Sequence, residues 1–270
     1  MGRMYIPKQI SEKNLLKAKK YLKNNKLEFL IKIKSEFDSR NRDIRKQKDI
    51  YGPDLLDLYS LHKTVIDYKR VSALEYGTGW SSLVILDALI RNYNKYKNYK
   101  FQRILQPFNL HIIDDSKLYL NMTKKNIIRF FGKKYLNFVN FHFSEVQMCY
   151  YKNNYATEYK NHFLFNPDFI YIDGPHQFST KGRICNFTVN HKELMPMMCD
   201  VLKFEHFICP GTILIMDGRS ANASFMKLNF QRNWRHNYNK RNEQHFFYLN
   251  EKSLGHINDK LLKFYFNKRT

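Results

Sequence analysis

The chain has 270 residues, 43% of them hydrophobic and 16% aromatic, so it can fill a core and is not a disordered protein. Its 46 basic and 24 acidic residues give a formal net charge of +22, which points to an anionic partner such as nucleic acid. Lys, Asn, Tyr, Phe and Ile are all abundant and have codons rich in A and T, so genome composition is the competing explanation of that charge.

The first part of the chain has the pattern of amphipathic helices. Apolar residues recur at spacings near three and four over residues 11–48, with Ser11 as a candidate N-cap and a break at Asn24-Asn25. Another break over residues 51–54 precedes a helical pattern from Leu55 to Ile66. We therefore predict a helical annex over residues 1–70, followed by a second domain over residues 71–270.

From Val71 onward, short apolar runs alternate with helical stretches. The predicted strands are Val71–Glu75, Leu110–Ile113, Phe138–Phe143, Phe169–Ile172 and Thr212–Met216. The predicted helices are Ser81–Arg91, Leu118–Phe131 and Lys181–Phe204, the last one bent at Pro196. Two further strands, Gln244–Leu249 and Leu262–Phe266, are predicted to be antiparallel because little chain separates them. This alternation predicts an α/β fold with a doubly wound, mostly parallel sheet.

The cysteines and the apolar runs bear on the location of the protein. Four cysteines without a Cys-x-x-Cys pair exclude a zinc ribbon and a disulfide scaffold, and predict thiols in a reducing compartment. The best apolar run, Ser82 to Ile90, is shorter than a membrane helix requires and contains Asp87. No apolar segment follows the N-terminal charges as it would in a secretory signal. We expect a cytoplasmic protein without a membrane span.

Acidic residues follow or end the predicted strands. In open α/β sheets the ligand binds at the carboxyl ends of the strands, so these residues should converge on one crevice, although each alone could be a turn residue or a helix cap. The acids are Glu75, Asp114, Glu145 (beside Ser144), Asp173 and Asp217. Gly77 and Gly79 follow the first strand and precede a helix, where glycines let the backbone approach a ligand closely.

These residues resemble class I S-adenosylmethionine (SAM)-dependent methyltransferases. The resemblance rests on Glu75-x-Gly77-x-Gly79, on Asp114 and Asp173 at strand ends, and on Pro210-Gly211 before the fifth strand. Residues 171–176, Tyr-Ile-Asp-Gly-Pro-His, are similar to a segment of the small-molecule and sugar O-methyltransferase branch. The resemblance covers about residues 55–250. It implies a Rossmann-like methyltransferase sheet with an antiparallel C-terminal strand.

The resemblance also implies a role for each residue around the cofactor SAM. Gly77 and Gly79, flanked by Glu75 and Ser81, would pass under the methionine part. Asp114 would bind the ribose hydroxyls, and Ser144 or Glu145 would lie near the adenine. Asp173 would lie beside the sulfonium and the acceptor. Related sugar enzymes often carry paired acids after the fifth strand, whereas Asp217 precedes Gly218 and Arg219, so a magnesium ion on Asp173 and Asp217 would lack one expected ligand.

A hydroxyl acceptor must lose a proton, which calls for a base. His176 is the first candidate, with Asp173 and Asp217 completing the predicted catalytic set; the alternative is that His176 caps a helix or forms a surface hydrogen bond. His245 is the second candidate base. Arg219, Trp234 and Arg235 belong to an acid-free basic and aromatic segment that could bind the acceptor, or could form a solvated helix face.

Three functions remain open at this point. The first is O-methylation of a sugar or other small hydroxylated acceptor, which makes a small molecule or glycan the expected partner. The second is RNA methylation, suggested by the charge and by the segment around Trp234. The third is a catalytically inactive SAM-binding protein, because a fold alone does not establish turnover.

Overall fold

A seven-stranded sheet forms the centre of the molecule, which the computed structural model describes over residues 7–33, 52–161, 165–240 and 242–266. The strands follow the order β3-β2-β1-β6-β7-β9-β8, and β9 is the antiparallel member. These strands are β1 Ser72–Tyr76, β2 Asn109–Asp114, β3 Val139–Phe143, β6 Phe169–Ile172, β7 Ile213–Asp217, β8 Trp234–Asn239 and β9 Gln244–Leu249. The hairpin of β4 Val146–Tyr151 and β5 Asn154–Tyr159 forms a separate two-stranded sheet. The predicted fold class is confirmed.

Helices cover both faces of the sheet because residues along each strand alternate between two cores. On β6, Phe169 and Tyr171 pack with helices α1 to α5, whereas Ile170 and Ile172 pack with α6, α7 and the hairpin. The helices are α1 Leu15–Asn24, α2 Phe29–Lys32, α3 Leu55–Asp67, α4 Trp80–Tyr96, α5 Lys117–Phe130, α6 Asp200–Phe204, α7 Ser220–Asn229 and α8 Gly255–Phe266. Among the helices of the described ranges, none is long and apolar enough to cross a bilayer.

The N-terminal helices pack onto the sheet. Leu22 of α1, Leu30 of α2 and Leu61 of α3 belong to the same buried cluster as the sheet residues Ala73 and Phe169. Asn14, rather than the predicted Ser11, caps α1 by accepting hydrogen bonds from the backbone of residues 16 and 17. The predicted break after Asn24 is correct, whereas the part of the helical prediction beyond residue 33 lies outside the described residues. The domain division at residue 70 stays a prediction.

Two predicted elements are wrong. Residues 181–199 form no helix, because Lys181 pairs with β4 and Met198 with β5, so backbone pairing with the hairpin replaces helical hydrogen bonds. Leu262–Phe266 is the end of α8 rather than a strand, since Leu261 and Tyr265 lie four residues apart on its buried face. The antiparallel partner of β9 is β8, which sequence reasoning missed together with the hairpin.

Candidate active site

The carboxyl ends of the parallel strands form one edge of the sheet, which we call the crevice edge. Tyr76 pairs with both Ile113 and Ile172, and Ile172 pairs with Met216. Asp114, Asp173 and Asp217 follow these three partners directly, so they lie at the same level of neighbouring strands. Ser144 and Glu145 follow Phe143, the partner of Asp114. The structure therefore brings the strand-end acids to one edge, as the alternating pattern predicts.

Gly77 turns the chain sharply at the end of β1. Its φ is +92°, and a Cβ atom there would lie 2.8 Å from the backbone nitrogen of Gly174. The Gly77 amide donates to the carbonyl of Ile113 at 2.9 Å, and the Asp173 amide donates to the carbonyl of Tyr76 at 2.8 Å. Two backbone segments from neighbouring strands thus touch at this point, and only a residue without a side chain allows that approach.

Gly79 precedes α4 and leaves open space where a side chain would be. Its backbone is extended, with φ 172°, and a Cβ atom there would meet nothing within 4 Å. Ser82 Oγ accepts a hydrogen bond from the Gly79 amide at 3.2 Å, while Thr78 Oγ1 bonds both Ser82 and Thr123. Helix α4 spans 17 residues, and its positive N-terminal end lies at the crevice edge. This turn can accommodate the carboxylate end of a ligand.

Glu75 and Ser81 form a buried pair beneath this turn. Ser81 Oγ donates to Glu75 Oε1 at 2.6 Å, and the Glu75 side chain has no exposed surface. Burial raises the pKa of Glu75 to about 8. Because the Ser81 hydroxyl is engaged with Glu75, both predicted cofactor contacts act in this structure as supports of the β1–α4 turn.

Asp114 places a nearly buried carboxyl at the end of β2. Its Oδ1 accepts from the Ser116 amide at 2.6 Å, and burial together with the neighbouring Asp115 raises its pKa to about 8. Sequence reasoning missed Asp115, which accepts a hydrogen bond from Ser179 Oγ and whose own pKa burial raises. Its position directly after Asp114 is the signal that could have found it.

Ser144 and Glu145 occupy different environments after β3. Ser144 is buried, and its Oγ accepts from the Asn161 amide at 2.9 Å. Glu145 is exposed and pairs with Lys160 at 2.7 Å, and that ammonium group lowers the pKa of the carboxyl. Ser144 therefore holds the chain after β5, while Glu145 lies on the rim. Their contact with adenine stays a prediction.

Arg219 holds the turn that carries Asp173. Its Nη2 donates to the carbonyl of Asp173 at 2.6 Å and its Nη1 to the carbonyl of Pro175 at 2.9 Å. Its Nε lies 3.9 Å from Asp173 Oδ1, and the Asp173 side chain is half exposed to the crevice. Burial raises the pKa of Asp173, and Arg219 partly offsets that rise. Arg219 lies at the predicted place, but its guanidinium binds the protein backbone.

The His176 ring is not free to act as a base in this structure. Its Nδ1 accepts a hydrogen bond from the Phe178 amide at 3.3 Å, so in the neutral ring the proton is on Nε2. Burial lowers the pKa of His176, while Asp115 nearby raises it. A ring whose lone pair is engaged with the backbone must break that contact to take a proton. This geometry agrees with the alternative of a hydrogen-bonded histidine, although the ring accepts from a turn amide and caps no helix.

Asp57 on α3 is a further acid that sequence reasoning missed. It is buried, and it accepts hydrogen bonds from Gln244 and, at 3.3 Å, from the hydroxyl of Tyr171. Burial raises the pKa of Asp57 to about 8. Burial also raises the pKa of Asp217 well above its usual range, and the neighbouring Asp57 carboxyl adds to that rise. The sequence signal that could have identified Asp57 is its position on the apolar face of the helix predicted from Leu55 to Ile66.

His245, the second candidate base, belongs to a chain of polar side chains beside α7. Its Nε2 lies 2.9 Å from Ser220 Oγ, and its Nδ1 lies 3.0 Å from Nε2 of His236. Burial lowers the pKa of His245 to about 4, and His236 adds to this effect. The ring is therefore neutral and hydrogen-bonded at neutral pH. Ser220 and His236 were not predicted.

Trp234 and Arg235 do not lie at the crevice edge. Trp234 pairs with Leu249 and Arg235 with Tyr248, and Tyr248 in turn pairs with Ile213, the first residue of β7. They therefore lie at the amino end of β7, opposite Asp217. Trp234 stacks on Phe230 with ring centres 4.7 Å apart. The sequence hypothesis that their segment binds an acceptor at the crevice edge is wrong for these two residues, because the missed strand β8 carries them to the opposite end of β7.

The residues at the crevice edge do not form a ready magnesium site. Asp173 is close to the Arg219 cation, and no third His, Cys, Asp or Glu of the described residues joins Asp173 and Asp217 in a ligand cluster. Magnesium prefers six oxygen ligands in octahedral geometry. The predicted pair therefore does not fit a preformed metal centre.

Comparison with known proteins finds similarity in solved structures. An O-methyltransferase from Bacillus cereus in complex with SAH has 13% identity and a TM-score of 0.40, with 87% of this chain and 90% of that chain covered. The O-methyltransferase TomG from Streptomyces achromogenes, involved in tomaymycin synthesis and in complex with SAM, has 10% identity and a TM-score of 0.41, with 90% and 92% covered. Comparison with protein families finds no match, nor does comparison with curated proteins.

Proposed function

We propose that the chain is a SAM-dependent methyltransferase that methylates a hydroxyl group of a sugar or another small acceptor. One observation carries this proposal: the glycine turn after β1, Asp114 at the end of β2 and Asp173 after β6 converge at one edge of a mostly parallel sheet. In such sheets a ligand binds where the strands end. Donor and acceptor would thus bind at the same edge of the sheet.

The open space at Gly79 and the nearly buried carboxyl of Asp114 suit the methionine part and the ribose of SAM. The Gly77–Gly79 turn and the N-terminus of α4 would hold the methionine part, whose carboxylate is favoured by the free amides and the helix dipole. Asp114 would accept hydrogen bonds from the ribose hydroxyls. Ser144 or Glu145 would contact the adenine. SAM supplies a methyl group activated by the positive sulfonium.

Asp173 is the best-placed base for the acceptor hydroxyl. Its carboxyl is half exposed at the crevice edge, where an acceptor could reach it, and partial removal from water raises its pKa above the usual value of an aspartate. Arg219 fixes the backbone of residues 173–175, so it orients Asp173 rather than binding the acceptor. Burial raises the pKa of Asp217 well above its usual range, so this carboxyl releases its proton less readily than an exposed aspartate does. Orientation of the two reactants supplies much of the rate.

Calorimetric titration with SAM tests the cofactor proposal. We expect the wild type to bind and Gly79→Arg to lose binding, because the new side chain would occupy the open space beside the turn. Asn94→Arg adds the same charge and bulk at an exposed position of α4 and should bind like the wild type. Absence of binding to the folded wild type would refute the proposal.

Incubation with methyl-labelled SAM and fractionated cell extract tests the acceptor. We expect label in the glycan or small-molecule fraction. Label confined to RNA, with binding that weakens steeply as salt rises, would instead identify an RNA methyltransferase. Binding of SAM without transfer to any fraction would identify an inactive SAM-binding protein. The four free cysteines agree with the cytoplasmic location that we also propose.

A further inference from the structure

Three side chains of metal-ligand type lie together outside the crevice edge. They are Cys149 on β4, Glu158 on β5 and Cys199 directly before α6. One ligand atom from each lies within 4.8 Å of the others, and the two sulfurs are 3.5 Å apart. Both cysteines are buried, whereas Glu158 is partly accessible to solvent. This is the one such group among the described residues.

The backbone holds the three residues in place. Cys149 pairs across the hairpin with Ala156, two residues before Glu158. The Cys199 amide donates to the carbonyl of Thr157 at 2.9 Å, which fixes the second cysteine against β5. The cluster therefore exists without rearrangement of the chain, although its ligands come from three separate elements. Sequence spacing gave no indication of it because 50 residues separate the cysteines.

The spacing of the sulfurs fits a tetrahedral zinc ion. Zinc–sulfur bonds of about 2.3 Å at a tetrahedral angle place two sulfurs about 3.8 Å apart. The observed 3.5 Å separation requires only a small adjustment. A carboxylate oxygen bonds zinc at about 2.0–2.2 Å, so the Glu158 oxygen, which lies within 4.8 Å of both sulfurs, must move closer to them when zinc binds. Glu158 is the one partly accessible member of the group, so water from solvent is the expected fourth ligand.

The charges near the cluster also suit zinc. Two thiolates and one carboxylate carry three negative charges, and a zinc ion leaves one of them uncompensated. Lys203 contacts Glu158 Oε2 and supplies the remaining positive charge. Gln147 Nε2 donates to Glu158 Oε1 at 3.2 Å and orients the carboxylate. Such outer partners commonly strengthen metal sites by fixing the ligands.

We propose that Cys149, Glu158 and Cys199 bind one zinc ion per chain, with water as the fourth ligand. Binding replaces the two thiol protons, which pass to solvent, so affinity should rise with pH. The ion would link the hairpin to the start of α6. Tyr159 follows Glu158, and its hydroxyl lies 2.6 Å from where a Cβ of Gly174 would be. By fixing Glu158 and the adjoining Tyr159, zinc would thereby stabilise residues that pack behind the crevice edge.

Titration of the full-length protein with cobalt(II), in the presence of a non-thiol reductant, tests this site. Cobalt replaces zinc in tetrahedral sites and gives a thiolate charge-transfer band. We expect that band at one ion per chain, and its loss when zinc is added. Cys149→Ser and Cys199→Ser each remove a metal ligand and should weaken cobalt binding by at least about 10- to 100-fold. Losses of that size already follow when only an outer partner of a metal site is removed. Cys185→Ser, at an exposed cysteine outside the cluster, should bind like the wild type.

Further measurements keep the proposal testable if a cysteine variant fails to fold. Glu158→Gln retains both sulfurs and should keep the thiolate band while weakening cobalt binding. Absence of the band in the reduced wild type, or its persistence in folded Cys149→Ser, would overturn the proposal. A Cys149–Cys199 disulfide in protein purified without added oxidant, detected by mass spectrometry as the loss of two hydrogens, would also overturn it. None of these readouts depends on methyl transfer.

Discussion

Gly77 shows how one backbone position controls the crevice edge. Its φ of +92° disfavours any side chain, and a Cβ atom would lie 2.8 Å from Gly174 N and 2.9 Å from the carbonyl carbon of Asp173. We expect Gly77→Ala to lower the free energy of unfolding by about 2–5 kcal/mol, combining left-handed strain of about 1–2 kcal/mol with overpacking of about 1–3 kcal/mol. Urea unfolding measures this loss.

Gly132→Ala is the matched control for Gly77→Ala. Gly132 also has a positive φ, +104°, but a Cβ atom there would meet nothing within 4 Å. Its ψ of 155° places it in a region that only glycine normally adopts, so we expect only the strain contribution, about 1–3 kcal/mol. Equal losses in the two variants would mean that the contact between the residue 77 turn and the residue 173–174 turn contributes nothing beyond backbone strain.

Asp114 is the residue on which cofactor affinity should depend most directly. An asparagine there keeps the shape but replaces one carboxyl oxygen, which can accept hydrogen bonds from the ribose, by an amide nitrogen that only donates. A buried polar group left without its partner costs about 1–3 kcal/mol, so we expect Asp114→Asn to weaken SAM binding about 5- to 150-fold in calorimetry. Asp67→Asn, in an exposed pair with Lys63, should leave affinity unchanged. Unaltered affinity in Asp114→Asn would contradict the ribose assignment.

A buried hydrogen-bonded chain joins helices α1, α3 and α4. The hydroxyl of Tyr21 lies 2.8 Å from His62 Nδ1, and His62 Nε2 lies 2.8 Å from Asp87 Oδ2. Burial lowers the pKa of His62 and raises that of Tyr21, so a neutral ring accepts from Tyr21 and donates to Asp87.

Removal of the Tyr21 hydroxyl tests this connection between helices. Tyr21→Phe leaves His62 Nδ1 buried without its donor, which should cost about 1–3 kcal/mol in denaturant unfolding. Tyr99→Phe removes a hydroxyl from a more exposed ring and should change stability little. A comparable loss in both variants would show that the hydrogen bond to His62 is not what stabilises the annex helices.

The sequence pattern predicts the central elements well and the peripheral ones poorly. Strands β1 and β6 are buried on both faces and β2 is mostly buried, so they appear as apolar runs, and the bounds of β6 are predicted correctly. Strand β8 alternates between partly buried and exposed residues, and its basic and polar composition resembles a helix surface. The helix prediction for residues 181–199 is wrong because their conformation depends on backbone pairing with a hairpin that is distant in sequence.

The candidate site divides in the same way. Parallel strands end at one edge, so acids that follow apolar runs can be assigned to that edge from sequence, as Asp114 and Asp173 are. Side-chain direction cannot be assigned in this way. The bonds of Arg219 to backbone carbonyls and of His176 to the Phe178 amide depend on how the turn packs. The prediction for Trp234 is wrong because the end of the sheet at which this residue lies depends on the order of the last two strands.

At the scale of the molecule, burial raises the pKa of several described acids and lowers that of several described histidines. The pKa reaches about 8 for Asp57, Glu75, Asp114 and Asp200. It falls to about 4 for His111 and His245. The acids retain protons in the folded state that the unfolded chain has released, whereas the histidines exclude protons that the unfolded chain binds. Below pH 6.5 the acids and the histidines therefore shift the free energy of unfolding in opposite directions as the pH changes. Above pH 6.5 the acids determine the pH dependence of that free energy.

We expect the free energy of unfolding to fall as the pH rises from about 6.5 to about 8. In this window the unfolded acids are already ionised while the folded ones still hold protons, so the slope is negative, by about 1 kcal/mol per pH unit for each such acid. Glu75→Gln mimics the protonated acid and can still accept from Ser81, so it should fold and show a shallower slope. Urea unfolding at closely spaced pH values measures both slopes. If stability instead increased over this window, or if the Glu75→Gln slope equalled that of the wild type, Glu75 would be ionised in the folded protein at neutral pH. The turn beneath the crevice edge would then contain a buried negative charge close to Asp114 and Asp173, the two acids assigned to the cofactor and the acceptor.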